Sequence, residues 1–265
     1  MVTNKVKTFA LGFQNVLEPL EKLGHEVIWA ADFSKFVADK SVIPCKIEQI
    51  DINTNPFNKN NIIAYKQILR IIDYYNIEAV MCSTPIGGMI ARLAAKKKKI
   101  KPVLYEAHGF LFFKGAPFIN QTLYKMEEKI LAHYTDTLIT ITEEDYLAAQ
   151  KFNLRSKEPP YLVHGAGVEV GVQVGINRAD KRKSVGVPKD AFVIISAGEL
   201  NKNKNTEVIV RALDKVKNAH YVACGVGSEK DNLIKLAEEL GVINRFHLLG
   251  YRTDMPELLA MSDVF

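Results

Sequence analysis

The sequence predicts an α/β protein with two successive domains, each built on a parallel sheet flanked by helices. Short apolar runs alternate with longer amphipathic runs up to residue 152, a pattern typical of parallel sheets covered by helices. A stretch rich in proline and glycine interrupts this pattern between residues 158 and 175. The alternation then resumes, which indicates a second domain of the same class.

The elements of the first domain follow from this alternation. Strands are predicted in the short apolar runs, at residues 6–11, 26–30, 43–52, 79–82, 102–106 and 137–142. Helices are predicted in the amphipathic runs, at residues 15–23, 59–75, 88–98, 119–133 and 143–152. Between residues 62 and 75 the apolar positions form one wide helical stripe, as expected for a helix lying on a sheet.

The second domain is predicted to be shorter. Its helices are predicted at residues 177–186, 206–217, 230–240 and 255–261, and its strands at 191–196, 220–224 and 245–249. Val264 and Phe265 open a further strand, so we expect that the natural sequence continues or that this chain is an edited form of it. The predicted domains are residues 1–165 and 178–265, with the boundary near 165–177.

Composition and charge narrow the class of protein. Hydrophobic residues make up 48% and charged residues 25%, as in ordinary globular proteins. The three cysteines are far apart and lack metal-ligand spacing, which favours a reducing, cytosolic setting. No run reaches the roughly 18 apolar residues of a spanning helix, and residues 1–13 favour a strand over a signal peptide. The net charge of +5 does not indicate nucleic acid binding.

The basic residues cluster at 96–99 and at Lys101. One interpretation is a solvated helix end, where cations suit the negative end of the helix dipole. The other is contact with anionic lipid headgroups, to which each lysine contributes about 1 kcal/mol. A polar run without an apolar face does not anchor a protein alone.

Ligands of open α/β sheets bind beyond the carboxyl ends of the strands, so the residues after each strand are the candidates. The strongest is the loop 196–206, in which Gly198 allows close approach of a ligand. Asparagines or Thr206 could cap the following helix, whose N-terminus favours a phosphate. Lys204, with Lys202 behind it, adds positive charge. The alternative is a surface turn with solvated lysines.

Three further loops are weaker candidates. Gly225 and Gly227 follow a strand and either admit a ligand or form a tight turn. Gly12 follows the first predicted strand. Gly87 and Gly88 precede a predicted helix after Thr84, where a ligand contact and a packing role are both open.

The loop 106–117 holds His108 and several aromatic residues. Aromatic side chains in a loop either pack or bind something, and a lone histidine is either catalytic or structural. No D-x-D pair suggests a metal site, so neither a metal nor another cofactor is expected. Walker A, G-x-G-x-x-G and G-x-S-x-G motifs are also missing, which disfavours ATP, NAD and hydrolase chemistry.

Several stretches together resemble the retaining GT-B glycosyltransferases of the group 1 family, most of all the bacterial capsule and exopolysaccharide members. They are STPIGGMIARLAA, AHGFLFFKGAP, YTDTLITITEEDY, GELNKNKN and FHLLGYRTDMPELLAMSDVF. The resemblance covers nearly the whole chain and is weakest before residue 60. It implies two Rossmann-like domains facing across a cleft, the second incomplete, and a nucleotide-diphosphate sugar as substrate.

The resemblance also implies roles for individual residues. Lys204 and His108 are the implied catalytic residues, with Lys204 on the donor diphosphate and His108 facing the transferred sugar. The other implied donor-site residues are Gly12, Gly198, Glu199, Asn203, Gly225, Gly227, Tyr251 and Arg252. The implied acceptor-side residues are Thr84, Gly87, Gly88, Phe110 and Lys114.

The implied acceptor is a glycan, in many cases lipid-linked, at the inner membrane face, with peripheral contact to anionic lipid. Two departures bear on this. Glu199 stands where many members have arginine, and the E-x7-E motif would follow Phe265. The alternatives are therefore a truncated, non-catalytic protein that binds nucleotide or glycan, and a GT-B sugar-nucleotide epimerase.

Overall fold

The computed structural model describes residues 1–6, 11–36, 40–165 and 174–265. These residues form two compact units, Met1–Val168 and Glu169–Phe265. Each unit combines helices with a parallel sheet, which confirms the predicted α/β class. The predicted boundary at 165–177 lies partly outside the described residues.

The first unit contains a seven-stranded parallel sheet in the order β3-β2-β1-β4-β5-β6-β7. Its strands are β1 Val2–Lys5, β2 Ile28–Asp32, β3 Lys46–Gln49, β4 Val80–Ser83, β5 Val103–Ala107, β6 Thr137–Thr140 and β7 Tyr161–Leu162. The strand order reverses between β1 and β4, because the chain leaves β1 in one direction and later returns to its other side. Ligands of open α/β sheets bind at the carboxyl edge beside such a reversal.

The helices of the first unit lie in the predicted positions with shifted ends. They are α1 Leu11–Lys22, α2 Asn60–Tyr74, α3 Pro85–Lys98, α4 Lys125–Ala132 and α5 Glu143–Ala149. Helix α3 contacts both α2 and α4, and its Ala91, Ala94 and Ala95 are fully buried in the core cluster that includes Ile68 of α2. These small residues let the helix approach its neighbours closely.

Four details of the prediction are wrong. The first described strand is Val2–Lys5 and Leu11 begins α1, so neither end of the predicted strand 6–11 is right; its residues 7–10 lie outside the described part. Gly12 therefore lies within the first turn of α1 and not directly after a strand. Strand β7 was not predicted, because two residues are too short for a periodic signal. A π-turn at Asn120–Tyr124 replaces the predicted start of the fourth helix.

The second unit contains three parallel strands in the order β10-β9-β8. They are β8 Phe192–Ala197, β9 Ala219–Cys224 and β10 Phe246–Gly250, and the helices are α6 Arg178–Ser184, α7 Glu207–Leu213, α8 Lys230–Glu239 and α9 Met255–Met261. Val264 forms a parallel bridge with Ile194 of β8. All three predicted strands are present, and Val264 extends the sheet beyond β8 as expected.

A buried ion pair joins α3 to α4 in the first unit. Arg92 is 1% exposed and donates from Nη1 to Glu128 Oε2 at 2.8 Å and from Nε to the Gly88 carbonyl at 3.0 Å. Its guanidinium lies 3.8 Å from the ring centre of Tyr105, whose hydroxyl donates to Glu128 Oε1 at 3.1 Å. The pair therefore fixes both helices against β5.

The lysine run forms the C-terminal end of α3. Lys96, Lys97 and Lys98 occupy its last turn, and Lys99 has left-handed backbone geometry at φ 60°. The predicted helix end is thus confirmed, and the cations lie at the negative end of the helix dipole. Over the described residues, no helix is long and apolar enough to cross a bilayer.

Two histidines on neighbouring strands predict that the stability of the second unit depends on pH. His220 Nδ1 and His247 Nε2 lie 3.0 Å apart. Burial lowers the pKa of both rings, and the charges of Arg245 and His220 respectively lower them further. Below the ordinary pKa of 6.5 the unfolded chain therefore binds more protons than the folded unit. We expect the free energy of unfolding to fall as the pH drops from 7 to 5.

Denaturant unfolding at several pH values checks this expectation. His247→Gln should flatten the pH dependence, because it removes one of the two suppressed protonation sites. The exposed His25 in the first unit gives a matched control, and His25→Gln should leave the dependence in place. An unchanged slope in His247→Gln would contradict the explanation.

Candidate functional site

The loop after β8 is the strongest candidate in the second unit. It contains a 3₁₀ turn, Lys202–Lys204, capped by Asn201, whose Oδ1 accepts from the Lys204 backbone N–H at 3.0 Å. Thr206 makes no side-chain cap to α7, so of the two proposed kinds of cap the asparagine is the one formed. Asn201 therefore fixes the backbone that carries Lys204.

The Lys204 side chain folds back over the start of this loop. A Cβ placed on Gly198 would lie 3.9 Å from Lys204 Cε, so the end of the lysine chain lies beside the Gly198 backbone. The lysine is exposed. Among the described residues, no hydrogen bond or ion pair occupies its ammonium. Lys204 and the Gly198 backbone thus present a cation and an open peptide surface together.

Gly225 and Gly227 bring the next loop against this one. A Cβ on Gly225 would lie 1.8 Å from the Gly198 carbonyl oxygen, and one on Gly227 2.2 Å from that of Leu200. The backbone N–H groups of Gly198 and Leu200 donate to the carbonyls of Cys224 and Val226 at 2.9 and 3.1 Å. Both positions therefore require glycine because the two loops lie in contact. This explains the glycines by the tight turn, the second of the two interpretations that the sequence left open.

Arg252 follows β10 at the same carboxyl edge. It forms a bidentate pair with Asp254, with nitrogen–oxygen distances of 2.8 and 2.6 Å. Arg252 and Lys181 hold the pKa of the Asp254 carboxyl well below its usual range. The guanidinium is thus already occupied, whereas the neighbouring Tyr251 is 42% exposed.

The candidates Thr84, Gly87 and Gly88 lie where the first sheet reverses its order. Helix α3 begins at Pro85 and not at Gly88, so both glycines lie inside its first turns. A Cβ on Gly88 would lie 2.5 Å from Tyr105 Cε2, and one on Gly87 2.8 Å from Thr84 Oγ1. The predicted pre-helical position was wrong, because Pro85 serves as the first helical residue. Packing is sufficient to explain Gly88.

Thr84 itself has strained backbone geometry. Its φ of 69° lies in the left-handed region, which is unusual for a β-branched residue. Such strain costs about 1–3 kcal/mol and clusters at functional positions. Nearby Asn4 Oδ1 is buried without a hydrogen-bond partner. Thr84 is therefore the residue of this group whose geometry packing does not explain.

His108 lies directly after β5 and pairs with a carboxylate. Its Nε2 lies 3.4 Å from Glu106 Oε2, and this contact raises the pKa of the imidazole against the opposing effect of burial. Because Glu106 pairs with Ser83 in the sheet register, His108 lies beside the strand that leads to Thr84. The arrangement favours a histidine that can carry and donate a proton.

The aromatic loop after His108 is largely a packed structure. Phe110 is 5% exposed and stacks on Phe112 with 4.8 Å between ring centres, and both rings contact Phe152. The Phe110 ring thus belongs to the core, and its place on the acceptor side stays a prediction. Lys114 is exposed, and its backbone N–H donates to Glu144 at 2.6 Å.

Sequence reasoning missed the partners of two candidates. Glu106 pairs with His108 and Asp254 pairs with Arg252, each from two positions away in the chain. In an extended segment, residues at this spacing point to the same side, so this signal could have identified Glu106.

Among the described residues, no group of three histidine, cysteine or carboxylate side chains converges as metal ligands would. Glu199 and Asn203 are exposed.

Comparison with known proteins gives relatives for both units. Residues 13–159 match the family described as Glycosyltransferase Family 4, and residues 177–265 match Glycosyl transferases group 1. The Bacillus subtilis (strain 168) protein named "Putative glycosyltransferase EpsD" is 35% identical over 92% of this chain. The Escherichia coli UDP-Gal:alpha-D-GlcNAc-diphosphoundecaprenol alpha-1,3-galactosyltransferase is 25% identical over 77% of this chain. The chain spans 65% and 57% of the lengths of these relatives.

Solved structures share the fold. The crystal structure of Anabaena Alr3699/HepE in complex with UDP and glucose aligns with a TM-score of 0.75, at 16% identity, over 100% of this chain and 73% of that one. This similarity confirms the predicted GT-B fold with two Rossmann-like domains. Together with the match over residues 13–159, it leads to one assignment: the chain belongs to Glycosyltransferase Family 4, with a group 1 glycosyl transferase region in its second unit.

Proposed function

We propose that this protein transfers a sugar from a nucleotide-diphosphate sugar to a glycan acceptor. The observation that carries the proposal is the Lys204 side chain lying over the Gly198 backbone at the carboxyl edge of the second sheet. A diphosphate fits this position chemically, since a cation stabilises it and Gly198, which has no side chain, lets it approach the backbone closely. The UDP-Gal in the name of the E. coli relative and the UDP in the Alr3699/HepE complex support this donor class, and the name of the B. subtilis relative supports sugar transfer.

The proposed chemistry depends on charge stabilisation. The bond between the sugar C1 and the diphosphate oxygen breaks, and the acceptor oxygen bonds to C1 while its proton passes to the departing diphosphate. Negative charge then grows on the departing diphosphate, where the Lys204 ammonium would stabilise it without a metal ion. Glu207 lies in the first turn of α7, where its negative charge offsets the positive end of the helix dipole. Lys204 would therefore provide most of the proposed charge stabilisation.

The acceptor side of the proposal rests on the first unit. His108, held by Glu106, would contact the transferred sugar, and Thr84 and Lys114 would lie near the acceptor. We propose that configuration at C1 is retained and that the acceptor is lipid-linked, in surface polysaccharide synthesis at the cytoplasmic membrane face. The E. coli relative, which acts on a diphosphoundecaprenol-linked sugar, supports this acceptor class.

Replacing Lys204 with alanine tests the donor site. We expect Lys204→Ala to weaken binding of a UDP-sugar by about tenfold to a hundredfold, the contribution typical of a hydrogen bond to a charged group. Isothermal titration calorimetry measures the change. Lys202 lies in the same 3₁₀ turn and is equally exposed, so Lys202→Ala should change the affinity less than about threefold. Equal affinities in wild type and Lys204→Ala would reject the proposed role.

Product analysis distinguishes transfer from its alternatives. Incubating UDP-N-acetylglucosamine with the protein should leave the sugar configuration unchanged when no acceptor is present. Transfer to an added lipid-linked glycan would exclude a protein that only binds nucleotide or glycan. Accumulation of an epimerised sugar nucleotide would instead identify an epimerase and overturn the proposal.

A further inference from the structure

A groove in the first unit lies between the start of α2 and the outer face of α3. Its volume is about 680 Å³. Apolar side chains line it from both sides, namely Phe57, Ile62 and Tyr65 before and within α2, and Met89 and Leu93 of α3. Phe57 is 82% exposed and Ile62 61% exposed. Large apolar side chains left this open next to one another mark a contact surface.

The groove also has a consistent charge. Lys59, Lys96 and Lys97 are among its lining residues, and no carboxylate is among those that the structure describes there. Lys96 donates to the Tyr134 hydroxyl at 2.5 Å. For Lys59 and Lys97, no hydrogen bond or ion pair is found within the described residues. The groove therefore joins apolar side chains to available cations, a combination complementary to an anionic amphiphile.

We propose that this groove is a membrane-contact site for anionic phospholipid. Phe57 and Ile62 would enter the boundary between headgroups and acyl chains, while the lysines bind lipid phosphates. Interfacial binding grows with buried apolar area and with attraction to anionic lipids. The lysine run alone lacked an apolar face, and the structure supplies one beside Lys96 and Lys97. The inference rests on the proposed function only in that a lipid-linked acceptor lies at a membrane.

A second exposed apolar surface in this unit is the alternative membrane-contact site. Ile119, Leu123, Met126 and Ile130 follow helical spacing across the π-turn and α4, and each is at least 40% exposed. In α4, however, the half-buried Glu127 lies between Lys125 and Lys129. This surface thus lacks the uniform positive charge of the groove, which is why the groove is the proposed site.

Vesicle sedimentation of the whole chain, without nucleotide sugar, tests the proposal. We expect binding to vesicles that contain phosphatidylglycerol and little binding to pure phosphatidylcholine. Lys59→Glu with Lys97→Glu should weaken binding at least about thirtyfold, since each lysine near an anionic surface contributes about fivefold. Phe57→Ser with Ile62→Ser should weaken it by about tenfold or more.

Matched controls lie elsewhere on the surface. Lys215→Glu with Lys217→Glu removes the same charge from exposed positions of the second unit, and Leu23→Ser removes a side chain that is 74% exposed at the end of α1. Leu23→Ser should bind vesicles within about threefold of wild type. The charge control, Lys215→Glu with Lys217→Glu, should lose far less binding than Lys59→Glu with Lys97→Glu. Circular dichroism confirms that each variant is folded.

Three outcomes would overturn the inference. They are no binding to phosphatidylglycerol vesicles, wild-type binding by both groove variants, and loss of binding only in Met126→Ser with Ile130→Ser. The result is independent of the donor site. If Lys204→Ala did not affect nucleotide binding, the proposed function would be rejected, but the vesicle binding expected of the groove would stand. Conversely, no result with vesicles changes the nucleotide affinity expected in calorimetry.

Discussion

Gly225→Ala should destabilise the second unit by at least about 3 kcal/mol. The new Cβ would lie 1.8 Å from the Gly198 carbonyl oxygen, so one of two backbone segments must move by more than 1 Å, on the order of the gap to normal contact. That movement would break the hydrogen bond from the Gly198 N–H to the Cys224 carbonyl. Backbone overlap of this kind belongs to the few mechanisms with large effects. Urea unfolding measures the loss.

Gly198→Ala is the matched control on the other side of the same contact. Its Cβ would meet only the Lys204 side chain, with Cε at 3.9 Å and Cδ at 4.0 Å, which is ordinary van der Waals contact. We expect a change in the free energy of unfolding below about 1 kcal/mol. The affinity for a UDP-sugar should nevertheless fall, because the proposed diphosphate lies against this backbone. Similar stability losses in the two variants would contradict the account of the loop contact.

Glu128→Ala should destabilise the first unit by about 3–5 kcal/mol. The substitution leaves the Arg92 guanidinium buried at 1% exposure without its carboxylate, and an uncompensated buried charge costs this much. Among the described residues, Arg92 Nη2 already lacks a hydrogen-bond partner, so they offer no spare acceptor to replace Glu128. Thermal and urea unfolding both measure the effect.

The neighbouring glutamate provides the control. Burial and the charge of Glu128 raise the pKa of Glu127, and it forms no ion pair with the residues that the structure describes. Glu127→Ala should therefore change the free energy of unfolding by less than about 1 kcal/mol. If Glu127→Ala were as destabilising as Glu128→Ala, the loss would come from shortening any side chain of α4, and the ion pair would not be its cause.

The sequence was sufficient to locate the loops of both sheets, because strand and helix periods are local signals. The rule that ligands lie beyond the carboxyl ends of parallel strands then selected Gly198, Lys204 and His108. It could not show why Gly225 is a glycine, since that depends on the Gly198 carbonyl, which lies far from it in the chain. This contact exists only once β8 and β9 are paired.

The aromatic loop shows a second limit. Phe110, Phe112 and Phe113 lie close together in the sequence and are chemically alike, yet the first two are 5% exposed and Phe113 is 50% exposed. Their difference depends on Phe152, which follows α5 and meets them only in the folded unit. The groove beside α3 has the same origin. Lys96 and Lys97 were noted from the sequence as part of a lysine run, whereas one apolar side of the groove and Lys59 come from residues 56–65, which are distant from that run in the chain.

The position of the donor diphosphate is the central claim, and a crystal structure of this chain with bound uridine diphosphate tests it most directly. We expect a phosphate oxygen within hydrogen-bond distance of Lys204 Nζ, with the diphosphate against the backbone at Gly198. A diphosphate bound elsewhere on the chain, with the Lys204 ammonium directed away from it, would contradict the proposed function.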